Sequence, residues 1–430
     1  MLSEHAKMAD DRLFFLMLDR LRRFFKILGP GLITGASDDD PSGIATYSQA
    51  GARFGLVPLW LALWTLPLLI GVQEMCGRVA IVTRKGLIQN LRTVIPRPLL
   101  WFLIAILAIA NGINAGADLG MMAASANLVL PRVSTFGWLL LITALTLGMQ
   151  IFLPYRTYAK YLKWLTVSLF AYIFVAFIVQ VPWKAALAMT FVPSAFLGRE
   201  FALLVIAFLG TTISPYLYFW QANQENEERK TLETRALPMP RRLKNMFWDV
   251  FSGMTLSNGV AWFIIVTGAV VLGANGMQSI ETADQAARLL EPLAGPFASS
   301  LFAIGTIATG LLAVPILTSV VGYAVCEALG RTEGLSKTWR EATLFYGVVV
   351  VLTILGILIN FLPYGPVRLL IFSAVGNAVV APPLLMAIVW LGNSAAMRQY
   401  KNGLVSNAIG GFTVALMTLA SLLGVYLLFF

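Results

Sequence analysis

The sequence predicts an all-α polytopic membrane protein with two inverted five-helix repeats and an eleventh helix, in which helices 1 and 6 are broken. Three observations lead to this prediction. The 430 residues are 58% hydrophobic and 12% charged, which is typical of a chain that crosses a membrane many times. The Lys and Arg residues favour one side of the successive apolar segments. Polar interruptions fall at matching positions in two of these segments.

Apolar runs long enough to cross about 30 Å of hydrocarbon predict eleven spans. They lie near residues 27–50, 55–79, 98–130, 136–154, 161–182, 200–221, 247–273, 296–326, 343–363, 367–391 and 405–429. With a cytoplasmic N-terminus, 25 of the 31 Lys and Arg residues fall on the cytoplasmic side. The positive-inside rule therefore predicts that the N-terminus is cytoplasmic and the C-terminus external. A multi-pass protein of the plasma membrane, in bacteria the inner membrane, is expected.

The spans divide the chain into five predicted parts. These are an amphipathic cytoplasmic segment (1–26), a first repeat (27–182), an external connection (183–199), a second, inverted repeat (200–391), and a connection with the eleventh helix (392–430). The first part is not a cleavable signal, because its basic cluster follows the apolar LFFLML run and no small-residue cleavage site appears. A helix on the cytoplasmic membrane surface is expected instead.

The first span is interrupted by three aspartates and a proline. The stretch from Gly29 to Gly55 reads GPGLITGASDDDPSGIATYSQAGARFG, with apolar sequence on both sides of Asp40 and Pro41. Proline lacks an amide donor, and non-helical backbone at membrane depth persists only inside protein or beside a wet cavity. The helix is expected to unwind near Asp40 and resume. A carboxylate at that depth predicts a functional site.

The sixth span carries the matching interruption. It reads FALLVIAFLGTTISPYLYFWQANQ, with Gly210 and Pro215 in an apolar run. Because the breaks lie in spans 1 and 6, the repeat unit has five helices, and an odd number makes the second unit enter from the opposite side. Paired broken spans are the sequence sign of a midplane binding site in an inverted-repeat transporter.

Asp40 is predicted to bind a cation, to cap the resumed half-helix, or both. A cap near a helix N-terminus gains only about 0.3–1 kcal/mol at exposed sites, whereas burying a charge costs several kcal/mol. Backbone carbonyls, water and the hydroxyls of Ser42, Thr211, Thr212 and Ser214 would complete an all-oxygen site, which favours magnesium, calcium or manganese. Each hydroxyl has an equally good alternative, a bond to its own helix.

Composition narrows the other function classes. The net charge of +10 forms no basic, aromatic-studded stripe, so a nucleic-acid partner is not expected. Cys76 and Cys326 lie in apolar surroundings and indicate neither a disulfide framework nor a thiolate metal site. The single histidine, His5, lies in the N-terminal tail. The predicted membrane spans therefore contain neither a histidine proton relay nor a Ser/His dyad. The expected partners are a divalent metal ion, as substrate rather than cofactor, and the lipid bilayer.

The opening sequence resembles that of the Nramp divalent-metal transporters. The similarity is carried by DPSGIATYSQAGARFG and by QEMCGRVAIVTRKGL from Gln73 to Leu87, and more weakly by GTTISPYLYF in span 6, ATG at 308–310 and GYAVCEALG in span 8. It extends over nearly the whole chain. The resemblance implies a LeuT-like fold, an ion site between broken helices 1 and 6, and transport rather than enzymatic activity.

The sequence departs from the family at several ligand positions. Asp40 keeps the family's aspartate, but the asparagine of Asp-Pro-Gly-Asn becomes Gly43. The family's Met-Pro-His-Asn begins here with Ser214, so the thioether is absent, and the carbonyl ligand position falls on Thr211. Fewer ligands and more room suit hydrated magnesium. The pattern is similar to the magnesium-transporting branch, with manganese also expected as substrate; aluminium, carried by another divergent branch, is an alternative.

The proton pathway implied by the family is also depleted. Its third-span Asp-Leu-Ala-Glu aligns with Asp118-Leu119-Gly120-Met121, and its span 6 histidines align with Tyr216 and Gln221. Uncoupled transport is therefore expected. Asp118 would hold a helix contact or shuttle a proton, the first being favoured. Asn377, one turn from Ala374 where the family commonly has glutamine, is expected to reach the ion through water.

Several alternatives stay open at this point. The polar residues Asn111, Asn114, Asp249 and Asn258 are interpreted mainly as hydrogen-bond partners between helices. A proton-coupled Mn²⁺/Fe²⁺ transporter and an organic-solute symporter on a LeuT-like scaffold are the competing functions. An intramembrane aspartyl protease is disfavoured because Asp118 lacks the Gly-any-Gly-Asp setting. The sequence predicts no oligomeric state.

Overall fold

The computed structural model describes residues 29–153, 166–196, 198–228 and 237–429. All regular structure in these ranges is helical, as predicted. The proposed amphipathic segment 1–26 and the start of the fifth predicted span lie outside the described residues.

Eight α-helices form the first half of the described chain. They are α1 (Pro30–Asp38), α2 (Pro41–Phe54), α3 (Leu59–Thr83), α4 (Leu87–Leu91), α5 (Arg97–Val129), α6 (Thr135–Phe152), α7 (Phe170–Ile178, preceded by the 3-10 turn Thr166–Leu169) and α8 (Trp183–Phe191). The halves of the first span, α1 and α2, contain nine and fourteen residues. Neither half crosses a membrane alone, since a span needs about twenty residues.

Nine α-helices form the second half of the described chain. They are α9 (Arg199–Thr212), α10 (Pro215–Glu228), α11 (Met239–Thr267, extended by π and 3-10 turns to Asn275), α12 (Ala283–Ala287), α13 (Glu291–Ala294), α14 (Ala298–Leu329), α15 (Thr343–Ile357), α16 (Pro366–Asn393) and α17 (Leu404–Phe429). Nine segments of the described chain are long and apolar enough to span a membrane. With the broken first span and the partly described fifth, they match the eleven predicted spans.

Both predicted breaks are present, and proline explains each. Asp39 leaves the helical region at the end of α1 with φ −85° and ψ 46°, and Asp40 is extended with φ −67° and ψ 173°. Pro41 then starts α2, because the residue before a proline avoids helical geometry while proline suits a first helical turn. In the second break Ile213 ends α9 and Pro215 starts α10.

The broken spans lie at the centre of the bundle. In the most apolar stretch of the α9–α10 span, 83% of the residues are buried, and the same holds for the segment that ends in α14. In α6, α15 and α17 the corresponding share is 28%. The exposed leucine and phenylalanine side chains of these outer helices, such as Phe152, Leu355 and Leu422, form a surface suited to lipid. The breaks are therefore enclosed by protein rather than facing the bilayer.

Glycines let the half-helices approach their neighbours at backbone distance. On α1, a Cβ on Gly35 would lie 2.5 Å from the carbonyl carbon of Gly253 in α11. On α9, a Cβ on Gly210 would lie 2.8 Å from the amide nitrogen of Ala378 in α16. Small residues at helix interfaces permit such close packing in membranes. The broken spans are thus fixed against α11 and α16.

Candidate metal site between the two breaks

Asp40 caps the second half of the broken first span. Its Oδ1 accepts a hydrogen bond from the Gly43 amide at 2.8 Å and one from the Ser42 hydroxyl at 2.7 Å. Asp40 is buried, with 1% of its surface exposed. The capping role expected from the sequence is present, because an extended N-cap residue directs its side-chain oxygen at the free amides of the first turn.

The other oxygen of Asp40 connects three spans. Asn114 of α5 donates to Oδ2 at 3.1 Å, and the Tyr216 hydroxyl of α10 is 3.3 Å from the same oxygen. The Tyr216 hydroxyl also lies 3.1 Å from the Ser37 carbonyl oxygen in α1. The carboxylate therefore has four donors around it, and the longest contacts are those on Oδ2. A cation would reach Oδ2 by replacing the weakest hydrogen bonds in the group.

The two breaks meet through hydroxyl groups. The Ser42 and Thr211 hydroxyl oxygens are 3.3 Å apart, so the predicted ligand Thr211 does lie beside the Asp40 cap. Ser214 donates to the Gly210 carbonyl at 2.5 Å and lies 2.9 Å from the Thr211 carbonyl, while Thr212 donates to the carbonyl of Phe208 at 2.8 Å. The hydroxyls of Ser214 and Thr212 thus bond to their own helix, which is the alternative that the sequence left open.

Gly43 contributes backbone only, and its surroundings are tight. Its amide caps Asp40, and a Cβ at this position would lie 2.9 Å from the Asp38 carbonyl oxygen and 3.2 Å from the Tyr47 ring. The loss of the family's asparagine therefore leaves no open space at this point, contrary to the extra room inferred from the sequence. Any additional room for a hydrated ion must lie elsewhere around Asp40.

The three consecutive aspartates do not form a carboxylate cage. Asp38 accepts a hydrogen bond from Ser257 of α11 at 2.7 Å through Oδ2. Within the described ranges, Oδ1 of Asp38 and Oδ1 of Asp39 have no hydrogen-bond partner, although both residues are buried. No group of three Asp, Glu, Cys or His side chains suited to a metal was found in the part of the chain that the structure describes. A metal here would rest on Asp40 with neutral oxygens.

Asp118 and Asn377 are buried and unsatisfied. Asp118 is 0% and Asn377 1% exposed, and the carboxylate oxygens of the first and both amide atoms of the second lack hydrogen-bond partners at ordinary distance in the described ranges. The Asp40 carboxylate and the Ser42 amide are near enough to interact electrostatically with the Asp118 carboxylate, which places Asp118 beside the first break. Buried polar atoms without partners are expected to receive water or an ion.

Asn114, interpreted from the sequence as a hydrogen-bond partner between helices, and Ser373, which the sequence analysis did not name, both lie at the site. Ser373 of α16 donates to Asn114 Oδ1 at 2.7 Å, and Asn114 donates to Asp40. A polar chain therefore connects span 10 to the carboxylate. A signal was present in the sequence, because Asn114 lies four residues before Asp118 and Ser373 four before Asn377. That spacing puts each pair on one helix face.

The other polar candidates join helices, as interpreted from the sequence. Asp249 accepts hydrogen bonds from the Gly29 and Gly31 amides at 2.8 and 2.6 Å and so caps α1. Asn258 donates to the Ala62 carbonyl, and Asn111 to the Leu317 carbonyl, each at 2.9 Å. Asp249 thereby fixes the half-helix that leads to the break, since its carboxylate meets the free amides of a helix N-terminus.

Comparison with known sequences identifies the family. The family profile described as "Natural resistance-associated macrophage protein-like" (Nramp) matches residues 31–427. The chain belongs to the Nramp family. It is 27% identical over 422 residues to the "Divalent metal cation transporter MntH" of Klebsiella pneumoniae strain 342, covering 93% of this chain and 95% of that one. The MntH of Pectobacterium carotovorum strain PC1 is 27% identical over 404 residues, covering 91% and 92%. These Nramp relatives are transporters, not enzymes.

Solved structures confirm the fold expected for an Nramp protein. A manganese transporter of Eremococcus coleocola, crystallised with an aromatic bis-isothiourea compound, superposes with a TM-score of 0.78 at 20% identity, covering 94% of this chain and 87% of that one. Mhp1, a nucleobase-cation-symport-1 family transporter, superposes with a TM-score of 0.54 at 12% identity, covering 93% and 90%. The LeuT-like fold that the Nramp resemblance implied is confirmed.

Proposed function

We propose that this Nramp protein carries hydrated Mg²⁺, and also Mn²⁺, into the cell by alternating access. The observation that carries the proposal is the buried Asp40 carboxylate between two helix breaks, with Oδ2 in its two longest hydrogen bonds. The Klebsiella and Pectobacterium relatives are named divalent metal cation transporters, which supports a divalent ion as the substrate.

The donor set supports a hard ion. The side-chain oxygens near the Asp40 carboxylate are the hydroxyls of Ser42 and Tyr216, with the Thr211 hydroxyl next to Ser42. Asn114 and the Gly43 backbone point N–H groups at the carboxylate and hold it in place. These partners include neither sulfur nor imidazole. Oxygen-rich sites favour Mg²⁺ and Mn²⁺ over softer metals, and Mg²⁺ usually keeps several of its waters. A site with one carboxylate and neutral oxygens suits an ion that stays partly hydrated.

The membrane potential supplies enough energy for uncoupled uptake. Moving one elementary charge inward across 100 mV gains about 2.3 kcal/mol, so a divalent ion gains about 4.6 kcal/mol, equivalent to accumulation on the order of a thousandfold. The positions aligned with the family's histidines carry Tyr216 and Gln221, and Gln221 accepts a hydrogen bond from Thr34 at 3.0 Å. Neither side chain transfers protons near neutral pH.

A proton-coupled manganese transporter is the second candidate. Asp118 favours it, because this buried carboxylate has no hydrogen-bond partner at ordinary distance among the described residues and lies beside the first break. A carboxylate in such a place is a candidate proton carrier.

Flux measurements in liposomes distinguish the two candidates. With purified protein and an inside-negative potential, we expect Mg²⁺ and Mn²⁺ influx without internal acidification, and faster influx as the potential increases because two charges cross. Metal-sensitive and pH-sensitive dyes are followed together, with Ca²⁺ measured alongside. Uptake of Mn²⁺ without Mg²⁺ would reject the magnesium assignment, and acidification with each influx would establish proton coupling.

Replacing Ser214 with Met is expected to shift selectivity toward soft metals. The substitution restores the thioether of the family motif beside the second break, and thioethers prefer softer ions. We expect the ratio of Mn²⁺ to Mg²⁺ uptake to rise by about tenfold, equivalent to about 1.4 kcal/mol. Initial rates are measured with each ion alone and in competition with Cd²⁺. Ser214→Ala is the control, because it removes the same hydroxyl bonds without adding sulfur; an equal shift in both variants would contradict the thioether explanation.

A further inference from the structure

A basic pocket lies at one end of the bundle, away from the metal site. Its volume is about 530 Å³, and its charged lining residues are Arg84, Lys85 and Arg398, with no acidic residue in the lining. The pocket lies where α3 ends, α11 begins, and residues 394–403 connect α16 to α17. The Lys and Arg distribution predicts that this end faces the cytoplasm.

No ion pair among the described residues neutralises these three cations. None of the ion pairs within the described ranges involves Arg84, Lys85 or Arg398. Arg242 of α11 lies close enough to interact electrostatically with Arg84, and it also interacts with Glu225. The potential in the pocket is therefore positive, because three cations share it and a fourth stands near its edge.

The backbone is strained at two of these three residues. Arg84 (φ 62°) and Arg398 (φ 52°) are the non-glycine residues with positive φ in the described chain, a conformation that favours glycine. A cation at the C-terminus of α3 gains from the helix dipole, which accounts for Arg84 in part. Arg398, in an irregular 3-10 segment, has no such compensation. Strained residues of this kind cluster where a ligand is held.

The walls of the pocket are fixed by hydrogen bonds. Asn90 donates to the Gly86 carbonyl at 2.8 Å and to the Thr83 hydroxyl at 2.9 Å, which holds the turn that carries Arg84 and Lys85. On the opposite wall, Arg78 donates to the Tyr400 carbonyl at 2.8 Å. The pocket is therefore formed before any ligand arrives, which lowers the entropic cost of binding.

We propose that this pocket binds a phosphate group, supplied by the headgroup of an anionic phospholipid. The guanidinium fork of arginine matches two phosphate oxygens, and the pocket lies where spans end, at the depth of lipid headgroups. Basic pockets between membrane helices on the cytoplasmic side are suited to anionic headgroups. A phosphate held there joins the end of α3 in the first half to the α16–α17 connection of the second half, and so stabilises the bundle.

The test uses glycine, because glycine removes the charge and relieves the strain together. The double variant Arg84→Gly/Arg398→Gly and the wild type are placed in nanodiscs of phosphatidylcholine alone or of equal parts phosphatidylcholine and phosphatidylglycerol. Thermal unfolding and retained phosphatidylglycerol, counted by native mass spectrometry, are measured. We expect the wild type to gain thermal stability from phosphatidylglycerol and to retain it. The double variant should lose both effects while unfolding in phosphatidylcholine no earlier than the wild type.

Controls separate this pocket from a general effect of surface charge. Arg340→Gln removes an exposed cation that does not line the pocket, and this variant should behave as the wild type. If the double variant does not fold, Lys85→Gln replaces it in the same test, because Lys85 lies on an exposed turn. Equal stabilisation by phosphatidylglycerol in wild type and pocket variants would overturn the proposal. Inorganic phosphate that stabilises the wild type where phosphatidylglycerol does not would overturn the lipid source and establish a free phosphate as the ligand.

Discussion

Replacing Asp40 with Asn is expected to lower Mg²⁺ and Mn²⁺ uptake by roughly a hundredfold while leaving the protein folded. The amide oxygen of Asn still accepts from the Gly43 amide and the Ser42 hydroxyl, because Asn caps helices about as well as Asp. At the other oxygen position the new amide nitrogen is a donor and no longer accepts from Asn114 and Tyr216, so an ion loses both the charge and an oxygen ligand there. A charged partner contributes about 3 kcal/mol in such contacts, equivalent to about a hundredfold in rate or affinity. Initial influx rates in liposomes and a thermal unfolding curve measure the two effects.

Asp38→Asn is the matched control. Asp38 is as buried as Asp40, but its carboxylate accepts a hydrogen bond from Ser257 of α11. Its replacement should have a milder effect on uptake. Asp40→Ala adds the loss of the cap, which costs about 1 kcal/mol, so it should unfold earlier than Asp40→Asn. Normal uptake by Asp40→Asn together with lost uptake by Asp38→Asn would place the ion at the other aspartate.

Both helix breaks could be predicted because their causes are local. Pro41 and Pro215 prevent a continuous helix, and the residues before them avoid helical geometry. The capping role of Asp40 is also local, since the Gly43 amide lies three residues away. Sequence reasoning works for such features because the residue types that decide them are neighbours along the chain.

The remaining partners of Asp40 depend on how helices pack. Asn114 and Tyr216 meet one oxygen from two different spans, and Asp38 meets Ser257 instead of joining Asp40. A shift of α5 or α10 along its axis by one helical turn would change these contacts while the same face of the helix stays buried. The sequence therefore predicted that Asp40 and Thr211 are neighbours, but it did not predict that Asn114 contacts the Asp40 carboxylate.

The departures from the family motif are best understood as a repacked site. Ser42 holds Asp40 and approaches Thr211, while Tyr216 occupies the position aligned with a family histidine and reaches Oδ2 of Asp40. Gly43 in place of the family's asparagine removes a ligand but opens no space, because the Asp38 carbonyl and the Tyr47 ring lie against it. The aspartate is thus surrounded by neutral donors that an arriving cation and its waters would have to reorganise.

Replacing Gly253 with Ala is expected to destabilise the protein by about 3 kcal/mol, a cost typical of severe overpacking. Its Cβ would lie 2.7 Å from the Gly31 carbonyl carbon and 3.0 Å from the Leu32 Cα. These are backbone atoms of α1, so no side chain can move aside. Half-helix α1 would have to shift from α11, and Asp249, which caps α1 from the same helix, would lose its geometry. Thermal unfolding in detergent measures the loss of stability.

Gly259→Ala in the same helix provides the comparison. A Cβ at Gly259 meets nothing within 4 Å, and replacing glycine by alanine at an open helical position stabilises a protein by about 0.4–1 kcal/mol. The two substitutions add the same methyl group to α11 and should therefore shift the unfolding temperature in opposite directions. Equal shifts would show that α1 is not held at backbone distance from α11, and the position of the first break relative to the seventh span would then need another explanation. Because α1 leads directly into Asp40, the Gly253→Ala protein that remains folded should also take up metal more slowly.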